Sequence, residues 1–390
     1  MRVALAIALA AAGVAPQTGQ CDKRPPGHGV DRYVSPAGSD SNDGSRSRPW
    51  RTIGYAAGQV RPGFTVHVAP GRYRGPLTLA RGGTAEAPVR FVSDRRWRAR
   101  ISAESAESIA IVEIVGDHVA FEGFELRGSG GDGSAGLDLE GDDDAALGNR
   151  VSELRAPCLE SGNGAAGILV GGGSGEYRNR GGLVDGNLVE RVGSGSRDGS
   201  CRLAHGIYAA VPGVTIVNNI VTQAAGDGIT SWHAARDLTV ANNLAAANGG
   251  AGILIGSGDA AAAPTGHTGT LVANNLAYRN ALYGITESSD GDHPVGPGNR
   301  FLNNLTFGNS GDTDDDSGVA GLNPGEIAEG NVNADPLLVG SGSAPRRYRL
   351  RRTSPAIDAG TSAGAPRHDF DEARRPRGRG FDIGPFERRR

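Results

Sequence analysis

Two short patterns recur at a fixed distance from each other, and that pairing leaves few architectures open. One is an apolar–x–Asn–Asn–apolar block: Val217-Asn218-Asn219-Ile220, Ala241-Asn242-Asn243-Leu244, Ala273-Asn274-Asn275-Leu276 and Leu302-Asn303-Asn304-Leu305. Asp185-Gly186-Asn187-Leu188 and Leu147-Gly148-Asn149-Arg150 are weaker copies, and Phe121-Glu122-Gly123-Phe124 is one without Asn. The other pattern is Gly-Ile, at Gly167, Gly206, Gly228, Gly252 and Gly284, with Gly136-Leu137 as an earlier relative. Asn219 to Gly228, Asn243 to Gly252 and Asn275 to Gly284 are each nine residues, while the repeat itself steps by 24 to 38. A constant interval inside a variable period means that one side of each unit is structural and the other carries insertions. A solenoid of short stacked strands meets that requirement. In a parallel β-helix, equivalent residues of successive coils lie ~4.8 Å apart. An Asn at a repeated turn can then bond to the next one, pairing groups that would otherwise be buried unsatisfied. The Asn column is therefore read as structural and not as a binding site.

Composition agrees with this reading. Gly accounts for 63 of 390 residues. That excludes a helix bundle, since each helical Gly costs ~1 kcal/mol relative to Ala. No Gly-X-Y period exists, so collagen is excluded as well. The net charge of −3 without a basic cluster argues against nucleic-acid binding. Lys23 is the only lysine, so no lysine base is available further along the chain.

Arg2 followed by the small apolar stretch Val3 to Val14 reads as an export leader, residues 1–20. It is too short to span a bilayer, which takes ~20 apolar residues, and no other stretch comes close. The expected protein is a monomer, secreted, periplasmic or displayed on a bacterial surface. Cys21 is either lost with the leader or the lipidated first residue. The absence of a sorting tail at the carboxyl end places any anchor at the amino end. Cys158 follows Asn149 by nine residues and Cys201 follows Asn187 by fourteen. Both fall at the same insertion point of adjacent coils, so a Cys158–Cys201 disulfide is expected, in keeping with an oxidising compartment. Ile53, Ala56, Ala57 and Val60 share one helical face within Trp50–Val60, which makes that segment the candidate cap over the first coil.

The run Tyr33-Val34-Ser35-Pro36-Ala37-Gly38-Ser39-Asp40-Ser41-Asn42-Asp43-Gly44, with Pro49-Trp50-Arg51-Thr52-Ile53 and Ala69-Pro70-Gly71-Arg72-Tyr73, resembles the amino-terminal region of bacterial secreted right-handed parallel β-helix proteins, among them the family 9 polysaccharide lyases. Asn333-Ala334-Asp335-Pro336, Tyr348-Arg349-Leu350, Ser354-Pro355-Ala356-Ile357-Asp358-Ala359-Gly360 and Asp382-Ile383-Gly384-Pro385-Phe386-Glu387 resemble their choice-of-anchor Q segment. The resemblance implies an all-β, right-handed parallel β-helix over 30–330 and an anchor-Q-like segment over 331–390. For activity it is less specific, because such proteins include lyases, hydrolases, epimerases and non-catalytic members. The chain also departs from the family 9 lyases, which use a lysine base. Pro62-Gly63-Phe64-Thr65 lacks the Asp of the family's Pro-Gly-Asp-Thr pattern.

Strand alternation predicts the outward-facing residues. If each Ile of Gly-Ile points inward, Asp138, Leu169, Tyr208, Thr230, Leu254 and Thr286 point outward. The residues just before each Gly are Ala135, Ala166, His205, Asp227, Ala251 and Tyr283. The chemistry gathers at His205, Tyr208, Asp227, Trp232 and His233, with Tyr283 two coils beyond. Uronate β-elimination requires a base for the C5 proton, an acid for the leaving oxygen and a charge to neutralise the carboxylate. His205 is the candidate base and Tyr208 the acid, with Asp227 and His233 beside them. Arg202 or Arg236, or a Ca²⁺ on acidic residues, would neutralise the carboxylate, while Trp232 and Tyr283 would contact the sugar. The bland alternative has His205 and Asp227 simply capping turns. Hydrolysis needs a carboxylate pair at ~5–9.5 Å, and only Asp138 with Glu140 qualifies. Candidate Ca²⁺ ligands are Asp40 and Asp43; Asp142-Asp143-Asp144 and the acidic run from Asp312 to Asp316 are further acidic clusters. The expected role is binding or cleaving an acidic or neutral polysaccharide, with a lyase as the enzymatic form. A non-catalytic adhesive solenoid is the rival.

Overall fold

The computed structural model of the chain describes residues 29–104, 109–129, 134–156, 164–173, 177–193, 201–259, 266–291, 294–311, 318–342 and 344–388. The expected leader, Cys21, Cys158 and the acidic run from Asp312 to Asp316 lie outside the described residues.

Three parallel sheets of eleven, nine and ten strands run the length of the molecule, and each full coil gives one strand to each sheet. One coil consists of Leu183–Asp185, Leu188–Val192 and Ala204–Ala209; the next consists of Thr215–Val217, Ile220–Thr222 and Ile229–Ser231. Every pairing within the three sheets is parallel, so the backbone bonds of one coil are completed by the coils before and after it. The architecture is the expected right-handed parallel β-helix.

The interior is a set of aliphatic columns. Ile168, Ile207, Ile229, Ile253 and Ile285 are in register along the second sheet, each no more than 1% exposed. The Gly ahead of each Ile is dictated by close approach. A Cβ on Gly206 would stand 2.1 Å from Val221 Cγ1 and 2.5 Å from the Gly228 carbonyl. Any side chain there would collide with the coil's own core.

The second Asn of each pair forms the predicted column. Asn149, Asn187, Asn219, Asn243, Asn275, Asn304 and Asn331 are chained. In every step the backbone N–H and the Nδ2 of one residue both donate to the Oδ1 of the next, at 2.8–3.2 Å. A second ladder runs Asn248, Asn280, Asn309, five residues after the first. The sequence carried that signal in Asn243…Asn248, Asn275…Asn280 and Asn304…Asn309.

The first Asn of each pair behaves differently. Asn218, Asn242, Asn274 and Asn303 sit in left-handed backbone, φ 51–57°, which Asn tolerates better than most residues. Their side chains turn outward to the carboxyl-terminal segment. Asn218 donates to the His368 carbonyl, Asn242 to those of Asp382 and Gly384, Asn274 to that of Thr361 and Asn303 to that of Ala359. Outside the third sheet, Leu188, Ile220, Leu244, Leu276 and Leu305 are covered by Tyr348, Leu350, Phe370, Ile383 and Phe386 of the same segment. Arg375, fully buried, pins it with a 2.7 Å contact to Glu387 and a 3.0 Å bond to Asn218 Oδ1.

The amino-terminal cap is helix Ile53–Gln59, shorter than the predicted Trp50–Val60. The Thr52 side chain accepts the Tyr55 N–H and starts the helix one turn later, while Trp50 bridges the first strand at Val34. Ile53, Ala56, Ala57 and Val60 are all buried, as their spacing requires. No helix among the described residues is long and apolar enough to cross a membrane.

Candidate active site

The second sheet brings the predicted columns into register. Asp138, Leu169, Tyr208, Thr230, Leu254 and Thr286 pair in succession on its outer face. His205, Asp227, Ala251 and Tyr283 likewise follow one another, each coil's Gly N–H donating to the next carbonyl in that column. At ~4.8 Å per coil, Tyr283 lies ~14 Å from His205, and the remaining aromatics lie closer together.

His205, Tyr208 and His233 form one cluster, with ring centroids 5.6 Å apart for His205–Tyr208 and 5.8 Å for Tyr208–His233. Tyr177, which sequence reasoning missed, stacks on His233 at 4.2 Å. It belongs to an insertion between coils, where no periodicity applies. Asp259, also missed, places a carboxylate oxygen 2.7 Å from His233 Nδ1. The segment after Trp232 carries His233 in left-handed backbone, φ 54°, and so turns its ring toward Tyr177.

Each of the two histidines has an aspartate at its Nδ1. Asp227 donates its backbone N–H to His205 Nδ1 at 3.2 Å. The Asp227 carboxylate stands 3.3 Å from the same Nδ1, so either a lone pair or a proton on that nitrogen finds a partner. Asp227 Oδ1 accepts the Ala251 N–H at 2.7 Å, the turn-capping task of the bland alternative. At His233 the Asp259 carboxylate faces Nδ1, and a proton held there would leave Nε2 as the acceptor. Burial lowers the pKa of His233, and Asp259 opposes this only in part. Burial raises Tyr208 well above the ordinary phenol value, so it keeps its proton.

Trp232 lies flat on the next coil; a Cβ on Gly256 or Gly258 would stand 2.3–2.4 Å from its ring. One face of the indole is thereby used by the fold. Arg202 is exposed, Arg236 has Asp237 at 3.7 Å, and Tyr283 is 38% exposed against Gly311.

Asp138 is 0% exposed, and neither carboxylate oxygen finds a hydrogen-bond partner. Burial, then Glu140 and Glu113 nearby, hold it protonated well above the usual carboxylate range. Glu140 accepts the Gly173 N–H at 2.7 Å, and the Gly173 backbone lies over both acids. Asp138 could supply a protonated acid for hydrolysis, but it is sealed from any sugar.

The acidic residues proposed for Ca²⁺ are engaged by the chain itself. Asp40 accepts the Arg51 and Thr52 N–H groups and the Thr52 hydroxyl, which anchors the start of the cap helix. Asp43 accepts the Ser45 N–H, and that bond lowers its pKa. Asp142 and Asp144 accept backbone N–H groups of Arg180, Val119 and Gly141. Among the described residues, no three His, Cys, Asp or Glu side chains are grouped as a metal site would be. Cys201 is buried, and its expected partner Cys158 falls outside the described residues.

Three parallel sheets wound coil on coil define a right-handed parallel β-helix protein. Residues 32–315 match the family described as Pel9A-like, right handed beta helix region, and the chain belongs to that family. Among solved structures, it is similar to pectate lyase Pel9A at 18% identity and TM-score 0.58, covering 96% of this chain and 98% of that one. A rhamnogalacturonan lyase is similar at 14% identity and TM-score 0.58, over 87% and 95%. These likenesses establish the fold. An uncharacterised protein of Bacillus subtilis (strain 168), YwoF, is 37% identical over 79 residues, which is 20% of this chain and 17% of YwoF. The match thus spans about a sixth of that relative's length.

Proposed function

We propose that this chain is an exported protein that cleaves a uronate-bearing polysaccharide by β-elimination, with His233 as base and Tyr208 as acid. The observation that carries the reading is the Asp259–His233 pair beside a half-buried, protonated Tyr208. His233 Nε2 takes the proton from C5, and the C–H electron pair becomes the C4–C5 double bond. The C4–O bond then breaks, and Tyr208 gives its proton to the leaving oxygen. This assignment needs no lysine, which is consistent with a chain whose single lysine precedes the solenoid. His205 would orient the sugar through its outer ring nitrogen, and Arg202 or Arg236 would neutralise the carboxylate. The export reading carries the Cys158–Cys201 disulfide with it, which a non-reduced peptide map would detect as one linked pair.

The test is incubation with polygalacturonate, rhamnogalacturonan and alginate, following the absorbance of the unsaturated product. Parallel reactions with added Ca²⁺ and with a chelator separate neutralisation by a cation from neutralisation by arginine. His233→Gln is expected to lower kcat by about 10²–10⁴, and His205→Ala to act mainly on KM. Absence of unsaturated product on every substrate overturns the lyase reading. Ala135, Ala166 and Ala251 leave half the column without chemistry. They favour a purely glycan-binding protein as the second reading, and retained binding without turnover would establish it.

A further inference from the structure

A second place on the molecule is shaped to hold a ligand, and it lies on the opposite kind of surface from the histidine cluster. Where the carboxyl-terminal segment leaves the third sheet, a cleft of about 440 Å³ remains between the two. That volume is within the roughly 300–1,000 Å³ usual for small-ligand sites and suits two or three sugar rings. One wall comes from consecutive coils at Gln223, Ala247 and Arg279, all in left-handed backbone, φ 55–59°. Ala247 sits between the two longer residues and leaves the space between them empty. The facing wall is the stretch that includes Asp335, Arg347 and Arg351.

The charges in this cleft are unbalanced. Arg279 lies over the Tyr278 ring at 4.9 Å and Arg347 over Tyr348 at 5.8 Å, while Arg351 donates to the Val339 carbonyl. Among the described residues, none of the three forms an ion pair with a carboxylate. Asp335 is the single acid in the lining, and its Oδ1 is engaged by the Leu337 N–H. Several arginines elsewhere on the third sheet are matched: Arg150 contacts both Glu125 and Glu190, and Arg191 contacts Glu153. Three unmatched guanidinium groups around one concavity call for an anion. Their planar forks suit carboxylates, and the half-buried Tyr278 adds a ring face that a pyranose can cover. A chain of net charge −3 has no general attraction for polyanions, so the preference is local.

We infer that this cleft binds a carboxylated oligosaccharide, as a non-catalytic site that holds a uronate chain on the molecule apart from the His233 cluster. The ligand class extends the proposed function, while the site itself does not depend on turnover.

The experiment is titration calorimetry with a trimer of galacturonic acid, performed on His233→Gln protein so that no ligand is consumed. A neutral hexose trimer and inorganic phosphate serve as the two controls. Arg279→Glu and Arg347→Glu, both on exposed side chains, are each expected to weaken trimer binding at least about tenfold, as loss of a charge-assisted bond implies. Binding should weaken with added salt, and the same substitutions in otherwise native protein should leave turnover of the trimer unchanged. The inference is overturned if the Arg variants bind as the parent does, if the neutral trimer binds equally, or if phosphate at equal concentration displaces the uronate. Loss of binding in the Arg variants with no turnover in the native protein would sustain this site while removing the lyase reading.

Discussion

The two Asn columns occupy adjacent positions in the same blocks and do opposite work. Asn219, Asn243, Asn275 and their equivalents turn inward and bond coil to coil. Asn218, Asn242, Asn274 and Asn303 turn outward and hold the carboxyl-terminal segment. The second and third sheets repeat the contrast on a larger scale. Both have aliphatic inner faces, but the third is also apolar outside and is covered, whereas the second carries His205, Tyr208 and Asp227 outside. Inner faces make the coil, and outer faces decide what is done with it.

Breaking the inner column should cost most. Asn243→Ala removes the acceptor of both the Asn219 N–H and its Nδ2 and the donor to the Ile216 carbonyl, all buried. At ~1–3 kcal/mol for each orphaned group, the loss is about 5 kcal/mol. Chemical denaturation should register it as a lower midpoint for the whole solenoid.

Acid should act on the two regions in opposite directions. His267 is buried in the solenoid wall, between the Gly256 carbonyl and the Thr270 hydroxyl, and burial lowers its pKa to about 4. The unfolded chain takes up that proton near the ordinary value. The solenoid therefore loses about 3 kcal/mol as pH falls from 6.5 to 4, and His267→Gln should flatten that slope. Asp382, in the docked segment, is raised to about 6 by burial. Here the folded state keeps the proton longer, so docking weakens by about 2–3 kcal/mol as pH rises from about 3.8 to 6. Limited proteolysis across that range should release the segment more readily at the upper end, and Asp382→Asn should remove the dependence.

The outer column should cost the solenoid itself least. Asn242→Ala loses two buried bonds to the segment and places Ala in left-handed backbone; at the same cost per orphaned group the loss is about 3–5 kcal/mol, and it falls on docking of the segment. Proteolysis of residues 331–390 should accelerate while the solenoid midpoint stays close to that of the parent. A midpoint shift as large as that of Asn243→Ala would end the distinction between the columns.

Much of the fold was legible because a repeat exposes itself. The nine-residue interval from Asn to Gly, the inward Ile column and the outward Tyr208 column all follow from strand alternation. The second ladder through Asn248, Asn280 and Asn309 was equally readable but went unread. The site was only half legible. His205, Tyr208 and His233 were found because they sit at repeat positions or next to them. Tyr177 and Asp259 come from insertions, and insertions have no register from which to place a side chain. The aspartates beside the two rings differ in how far they could be read: Asp227 precedes a repeat Gly next to His205, whereas Asp259 reaches His233 from beyond the repeat.

By itself the sequence determined that the backbone winds in stacked coils with a structural Asn column, because coil geometry is written locally and repeated. Only the tertiary structure decided which Asn of each pair faces in, what covers the third sheet, and which carboxylate His233 meets. Those outcomes depend on a left-handed turn reversing a side chain and on segments far apart in the chain meeting across it, neither of which a local period encodes.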